Sequence, residues 1–259
     1  MRGTYLLASL TALVLVGGAT LQAAKQPQCS LTRSDMRLRR SIARALPAAY
    51  RHFPEWLTIG GDSTPRGSLY TVCSEPYPAP PATHTPPYVR LFLVSVRDHQ
   101  ARLRWSQALP PDNFCKALSL LRTKDRGALF SVIGSPYGGS VTRYHLRLYR
   151  YGKDHRSLEC LLQTGFTDGS CAPLQGAGAV PLAFLVCAPE EKGLSKWRGT
   201  IYSPIADGHY HTKSRLVTLG SYDSRQNSSL QSAYRELRSR FQKRLGPIYR
   251  WPRSLPDLD

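Results

Sequence analysis

Residues 89–109 read VRLFLVSVRDHQARLRWSQAL. From Val89 to Val96 both faces are apolar, as in a strand at the middle of a sheet. Asp98-His99-Gln100 follows with turn chemistry, and Ala101 to Leu109 sets Leu103 and Trp105 against Arg102 and Arg104. That alternation belongs to a half-exposed strand, so the stretch reads as an antiparallel hairpin.

Working outward, short runs of the same kind recur at Ala117–Leu121, Ala128–Ile133, Val141–Tyr151, Leu158–Thr164, Leu182–Cys187, Trp197–Tyr202 and Arg215–Leu219. Gly, Asp and Pro separate them. The spacing predicts a mainly β body of antiparallel sheets over 88–226, sandwich-like or blade-like. A faint echo at 56 residues relates Asp98-His99 to Asp154-His155, Cys115 to Cys171 and Leu118 to Leu174, with Ala128–Phe130 echoed by Ala183–Leu185 at 55. Two duplicated four-stranded meanders would produce it.

A helix is expected at each end. Between Ser34 and Ala49, the residues Leu38, Ile42, Ala45, Leu46 and Ala49 form one apolar stripe, and Pro47 weakens the last turn. Near the C-terminus, Leu230, Tyr234, Leu237, Phe241 and Leu245 fall in a narrow sector of a helical wheel, with Gly246-Pro247 as the stop. This second helix, with its tail, is expected to occupy 227–259 and to dock on the sheet. Residues 60–67 read as a loop before a short strand, Leu69–Cys73. Six prolines within 76–87 then read as an extended connection. The segment 25–75 is too small for a core of its own and is expected to pack on the body.

Tyr5 to Val16 is an apolar run behind Arg2, and Leu21-Gln22-Ala23 resembles the tail of a secretory signal, so residues 1–24 read as a signal peptide. The rival is an uncleaved anchor, the one membrane contact the sequence suggests. Six cysteines (Cys29, Cys73, Cys115, Cys160, Cys171 and Cys187) lie beyond the signal. In a secreted or periplasmic protein they predict three disulfides among 15 connectivities. No Cys-x-x-Cys spacing occurs, which removes the usual signature of zinc ribbons and thioredoxin-like redox sites.

With 35 Lys+Arg against 17 Asp+Glu the formal charge is +18, or +17 once Arg2 leaves with the signal. A charged fraction of 20% with 10% aromatic residues excludes a charge-rich disordered chain. Arginine dominates the basic residues, which favours forked contacts to anions. On the strand 141–151, Arg143, His145, Arg147, Tyr149 and Tyr151 share one face, basic groups interleaved with rings, and the first four are the candidate anion-binding residues. His209 and His211 would share a face of an extended segment and are the candidate metal ligands, with Asp207 preceding them. Gly61-Asp62-Ser63 is similar to the nucleophile block of GDS-type esterases, yet the required Asp-x-x-His is missing and Asp207-Gly208-His209 has the wrong spacing. No catalytic set and no cofactor are therefore expected. The sequence favours an exported, non-enzymatic binding protein whose partner is an acidic envelope component or an acidic protein, without specific nucleic-acid recognition. An envelope hydrolase and a structural subunit of an envelope assembly are the alternatives.

Overall fold

Alternation of apolar side chains builds three four-stranded meanders, and the chain enters each on its first strand and leaves on its last. The computed structural model describes residues 36–51, 58–64, 67–76, 88–98, 100–123, 127–136, 142–190, 196–223 and 227–258. The expected signal peptide, Cys29, Ser34 and most of the proline-rich connection lie outside them.

Sheet 1 runs β1 (Thr58–Thr64), β2 (Gly67–Ser74), β3 (Arg90–Arg97) and β4 (Gln100–Ala108) in that order. Sheet 2 runs β5 (Phe114–Thr123), β6 (Gly127–Ser135), β7 (Arg143–Tyr151) and β8 (Leu158–Thr167). Sheet 3 runs β9 (Ser170–Gly176), β10 (Ala183–Pro189), β11 (Trp197–Pro204) and β12 (Tyr210–Val217). The two-residue strand β13 (Tyr249–Arg250) pairs with the free side of β9 through Gly176 and Gln175. The mainly β, antiparallel expectation holds, with the two helices α1 (Met36–Ala45) and α2 (Asn227–Leu245) flanking the strands.

The sheets stack face to face, and each packed face follows from a period of two. On β3, Leu91 and Leu93 meet Phe130 and Val132 of sheet 2, whereas Phe92 and Val94 meet Ile42 and Leu46 of the N-terminal segment. On β7, Tyr149 points into the interface with sheet 1, while Tyr144, Leu146 and Leu148 meet Phe184 and Val186 of sheet 3. The far face of sheet 3 (Leu185, Trp197, Ile201) takes Leu230, Tyr234, Leu237 and Phe241 of α2. Each terminal helix therefore covers the outer face of an end sheet. Without that cover two apolar faces would meet water, at about 25 cal/mol per Å² exposed.

Several boundaries differ from the sequence reading. Residues 60–64 belong to β1, which pairs with β2 over Thr58↔Cys73 to Thr64↔Gly67. The proline-rich stretch therefore joins two strands of one sheet, and the β body begins at Thr58. Strand β9 was not expected. It carries Pro173 inside the strand, tolerated because β13 bonds only to Gly176 and Gln175 and leaves that edge open beside the proline. The fourth strand of sheet 3 is Tyr210–Val217, beginning earlier than the expected Arg215–Leu219. Helix α1 ends at Ala45, and after Pro47 a 3-10 turn covers Ala48–Tyr50. Gly246, at φ +72° with its N–H on the Gln242 carbonyl (2.9 Å), stops α2 where Gly-Pro predicted.

The 56-residue echo has a structural counterpart. The three sheets begin at Thr58, Phe114 and Ser170, and the equivalenced Cys115 and Cys171 are each the second residue of a first strand. Asp98 and Asp154 both lie in the turn between a third and a fourth strand. The repeating unit is the four-stranded meander, present three times. Neither described helix is long and apolar enough to cross a membrane.

Candidate functional site

The connection from sheet 1 to sheet 2, residues 109–113, carries an acid that the sequence reading did not single out. Asp112 is fully buried, and its backbone is held on both sides: its N–H donates to Leu109 O (2.8 Å) and its carbonyl accepts from Val89 N–H (2.9 Å). Its carboxylate reaches β7, where Oδ1 accepts from His145 Nδ1 at 2.5 Å and Oδ2 accepts from Arg147 Nη1. The second guanidinium nitrogen of Arg147 donates to Pro110 O at 2.9 Å. Arg147 is 2% exposed, so its charge is spent inside the protein on this one carboxylate. A buried ion pair of this kind needs additional hydrogen bonds to offset desolvation, and Pro110 O supplies one.

Gly134 on β6 makes room for the carboxylate. It lies opposite His145 in the register, and a Cβ there would overlap the Asp112 side chain. Gly165 of β8 lies under the imidazole in the same way, 3.3 Å from a Cβ position to Cδ2 of His145.

The four candidate anion-binding residues are therefore divided. Arg143 is exposed and His145 is half-buried, whereas Arg147 and Tyr149 are buried. The face they share, expected to meet water or an anion, packs against sheet 1 over Arg147 and Tyr149 because sheet 2 is the middle layer. Burial pushes the Tyr149 phenol strongly upward, with Cys160 adding to it and Arg147 opposing it, so Tyr149 stays neutral.

His209 lies at the turn into β12, and His211 is the second residue of that strand. Asp207 caps that turn, accepting from His209 N–H at 2.8 Å, with its other oxygen 3.3 Å from His209 Nδ1. The His209 N–H, against a small desolvation, lowers the Asp207 carboxyl from its usual range. Among the described residues no group of three His, Cys, Asp or Glu side chains comes together as a metal site. The pair thus has the geometry of a capped turn.

The five described cysteines carry free thiols. Cys171 and Cys187 stand on adjacent strands but on opposite faces of sheet 3, Cys171 toward sheet 2 and Cys187 toward α2. They cannot bridge to each other. Burial alone pushes the Cys171 thiol up to about 12, and burial likewise raises Cys187 strongly. Both behave as small apolar side chains. Cys73, Cys115 and Cys160 gather instead at the interface of sheets 1 and 2.

Two surfaces remain with chemistry to offer. A cavity of about 380 Å³ lies between sheets 2 and 3, lined by Leu121, Ile133, Leu146 and Phe184, with Lys116 and Asp257 also contributing. The C-terminal tail borders it, held by Ser170 Oγ on Pro256 O (2.6 Å) and by the reciprocal pair of Gln231 with the Leu255 backbone (3.0 and 3.1 Å). The second surface is the solvent side of α1. Arg37, Arg40 and Arg44 recur at helical spacing opposite Ile42 and Leu46, and all three are exposed. Among the described residues no salt bridge joins any of them to an acidic side chain. On α2, by contrast, Arg238 donates to Pro252 O, and Arg240 donates to Val217 O and lies 3.7 Å from Glu236.

No protein-family model matches the chain, and no curated protein matches it in sequence.

Proposed function

We propose that the protein is an exported, non-enzymatic binding protein that recognises an acidic partner of the cell envelope, and that the arginine stripe on α1 is the contact surface. One observation supports this reading above the others. The buried cation Arg147 is matched by Asp112, while Arg37, Arg40 and Arg44 stand in a row on a fixed helix with no described counter-charge. Three guanidinium forks on one helix face suit phosphate, sulfate or carboxylate groups presented side by side. The charge of +18 over the whole sequence, or +17 without Arg2, adds long-range attraction for such a surface.

The half-exposed His145 on the buried Asp112 favours the hydrolase alternative, because a carboxylate that orients an imidazole is a general-base arrangement. Among the described residues the imidazole bonds to Asp112 and to no hydroxyl or thiol, and the exposed arginine row makes binding the better-supported reading. The test is retention on a sulfated resin. Arg37→Ser/Arg40→Ser/Arg44→Ser together should elute at markedly lower salt than the parent, and Arg143→Ser should change little. Equal elution of the triple variant and the parent would remove α1 as the contact.

A further inference from the structure

Cys73 is the last residue but one of β2, and Cys115 is the second residue of β5, so the two belong to different sheets. Both side chains nevertheless pack into the one apolar cluster between these sheets, Cys73 within it and Cys115 against it. Backbone contacts fix the approach. Glu75, two residues beyond Cys73, accepts the Cys115 N–H on Oε1 at 3.0 Å. Ser74 between them is anchored by its hydroxyl on Tyr50 O at 3.0 Å. Cys115 is half-buried, so a small reagent can reach it, whereas Cys73 is 2% exposed. Cys160 is the third thiol of this layer, but its Sγ donates to Leu162 O on its own strand at 3.3 Å.

We propose that Cys73 and Cys115 form a disulfide that staples sheet 1 to sheet 2, and that Cys160 and the opposed pair Cys171 and Cys187 are excluded from it. For its occurrence in the cell the pairing rests on the exported reading given above; its geometry does not depend on anion binding. The oxidant is a disulfide donor of the thiol-exchange class. The Cys115 thiolate attacks one donor sulfur, the donor S–S bond breaks, and one donor thiol leaves with a proton. The Cys73 thiolate then attacks the Cys115 sulfur of the mixed disulfide and expels the second donor thiol. Two electrons pass from the cysteine pair to the donor, and the two cysteine protons end on the two departing thiols. Burial first, and then the neighbouring Cys115, hold the Cys73 thiol well above its ordinary range, so the more accessible Cys115 is the one that meets the donor first.

Peptide mapping tests this directly. The full chain is incubated with glutathione disulfide, remaining thiols are alkylated, and tryptic peptides are sequenced by mass spectrometry without reduction. Trypsin leaves Cys73 in peptide 67–90 and Cys115 in peptide 105–116, while Cys160, Cys171 and Cys187 share peptide 157–192. The expected product is 67–90 linked to 105–116, with Cys171 and Cys187 alkylated after unfolding. Thermal melting of the oxidised chain should then drop by roughly 5–10 °C on reduction, and the double variant Cys73→Ser/Cys115→Ser should show no such drop. Recovery of both peptides as alkylated thiols, or a link from either to 157–192, would overturn the assignment. So would an equal drop on reduction in the double variant. Unchanged retention of the α1 triple variant would count against the anion-binding reading alone.

Discussion

Sheet 2 has an interface on each side, and the same strand, β7, feeds both in opposite ways. Toward sheet 1 it sends His145, Arg147 and Tyr149, and the interface there is built around a buried charge, three thiols and a five-residue connection folded back into the core. Toward sheet 3 it sends Tyr144, Leu146 and Leu148, and the interface is apolar, joined by only Asp168 and Gly169, with a cavity of about 380 Å³ beside it. One interface is fixed in register by directional bonds. The other relies on packing area and leaves space. A polar network gives one arrangement because every partner must be in place, whereas an apolar contact tolerates slippage and voids.

The largest effect should come from breaking the first interface at Asp112. Asp112→Ala leaves Arg147 buried without its carboxylate, a loss of about 3–5 kcal/mol, read as a lower midpoint in urea unfolding. Gly134→Ala should act through the same carboxylate, because the added methyl occupies its place; a neutral Gly134→Ala would contradict the packing described. The second interface should yield less. Leu146→Ala removes a fully buried side chain that already borders the cavity, at about 2–3 kcal/mol. If the two losses were equal, the contrast between a bonded and a packed interface would fail.

A smaller effect concerns the outer end of sheet 3. Burial opposes ionisation of Glu236, yet N–H groups of Leu219 and Gly220, the Tyr222 hydroxyl and the nearby Arg240 outweigh it and hold the carboxyl below its usual range. A carboxyl lowered by folding stabilises the folded state above its unfolded pKa, about 4.3 for Glu. That contribution is lost as the pH falls from there through the folded value. The melting temperature of the parent should therefore fall more steeply below about pH 4.3 than that of Glu236→Gln. Parallel curves would show that this carboxylate does not link α2 to the strand end.

Much of the architecture was legible because it rests on periodicity. The two-faced apolar run of β3 and the wheel of α2 both predict burial on the faces that are buried. Strand β1, written Thr-Ile-Gly-Gly-Asp-Ser-Thr, carries turn-forming residues and is a strand only because β2 pairs with it over its whole length. Strand β9 is masked by Pro173 and by its shortness. The alternation on β7 was read correctly, but which of its faces meets water depends on the order of the sheets, which no local pattern carries. Asp112 was missed for the same reason. In a chain with 35 basic and 17 acidic residues, a buried arginine must find one of few carboxylates, and Pro110-Pro111-Asp112 between two apolar strands was the available signal.

The smallest effect on stability and the most direct reading of function meet in the α1 stripe. Arg37, Arg40 and Arg44 are exposed and make no salt bridge with a described acidic residue, so the triple serine variant should melt within a degree or two of the parent, as exposed substitutions do. The deciding measurement is the salt concentration at which that variant leaves a sulfated resin, set beside the parent and Arg143→Ser. The account predicts that the triple variant elutes near physiological ionic strength, where exposed charges are screened beyond about 8 Å, while the parent and Arg143→Ser stay bound to higher salt. Coincident elution of all three proteins would contradict it.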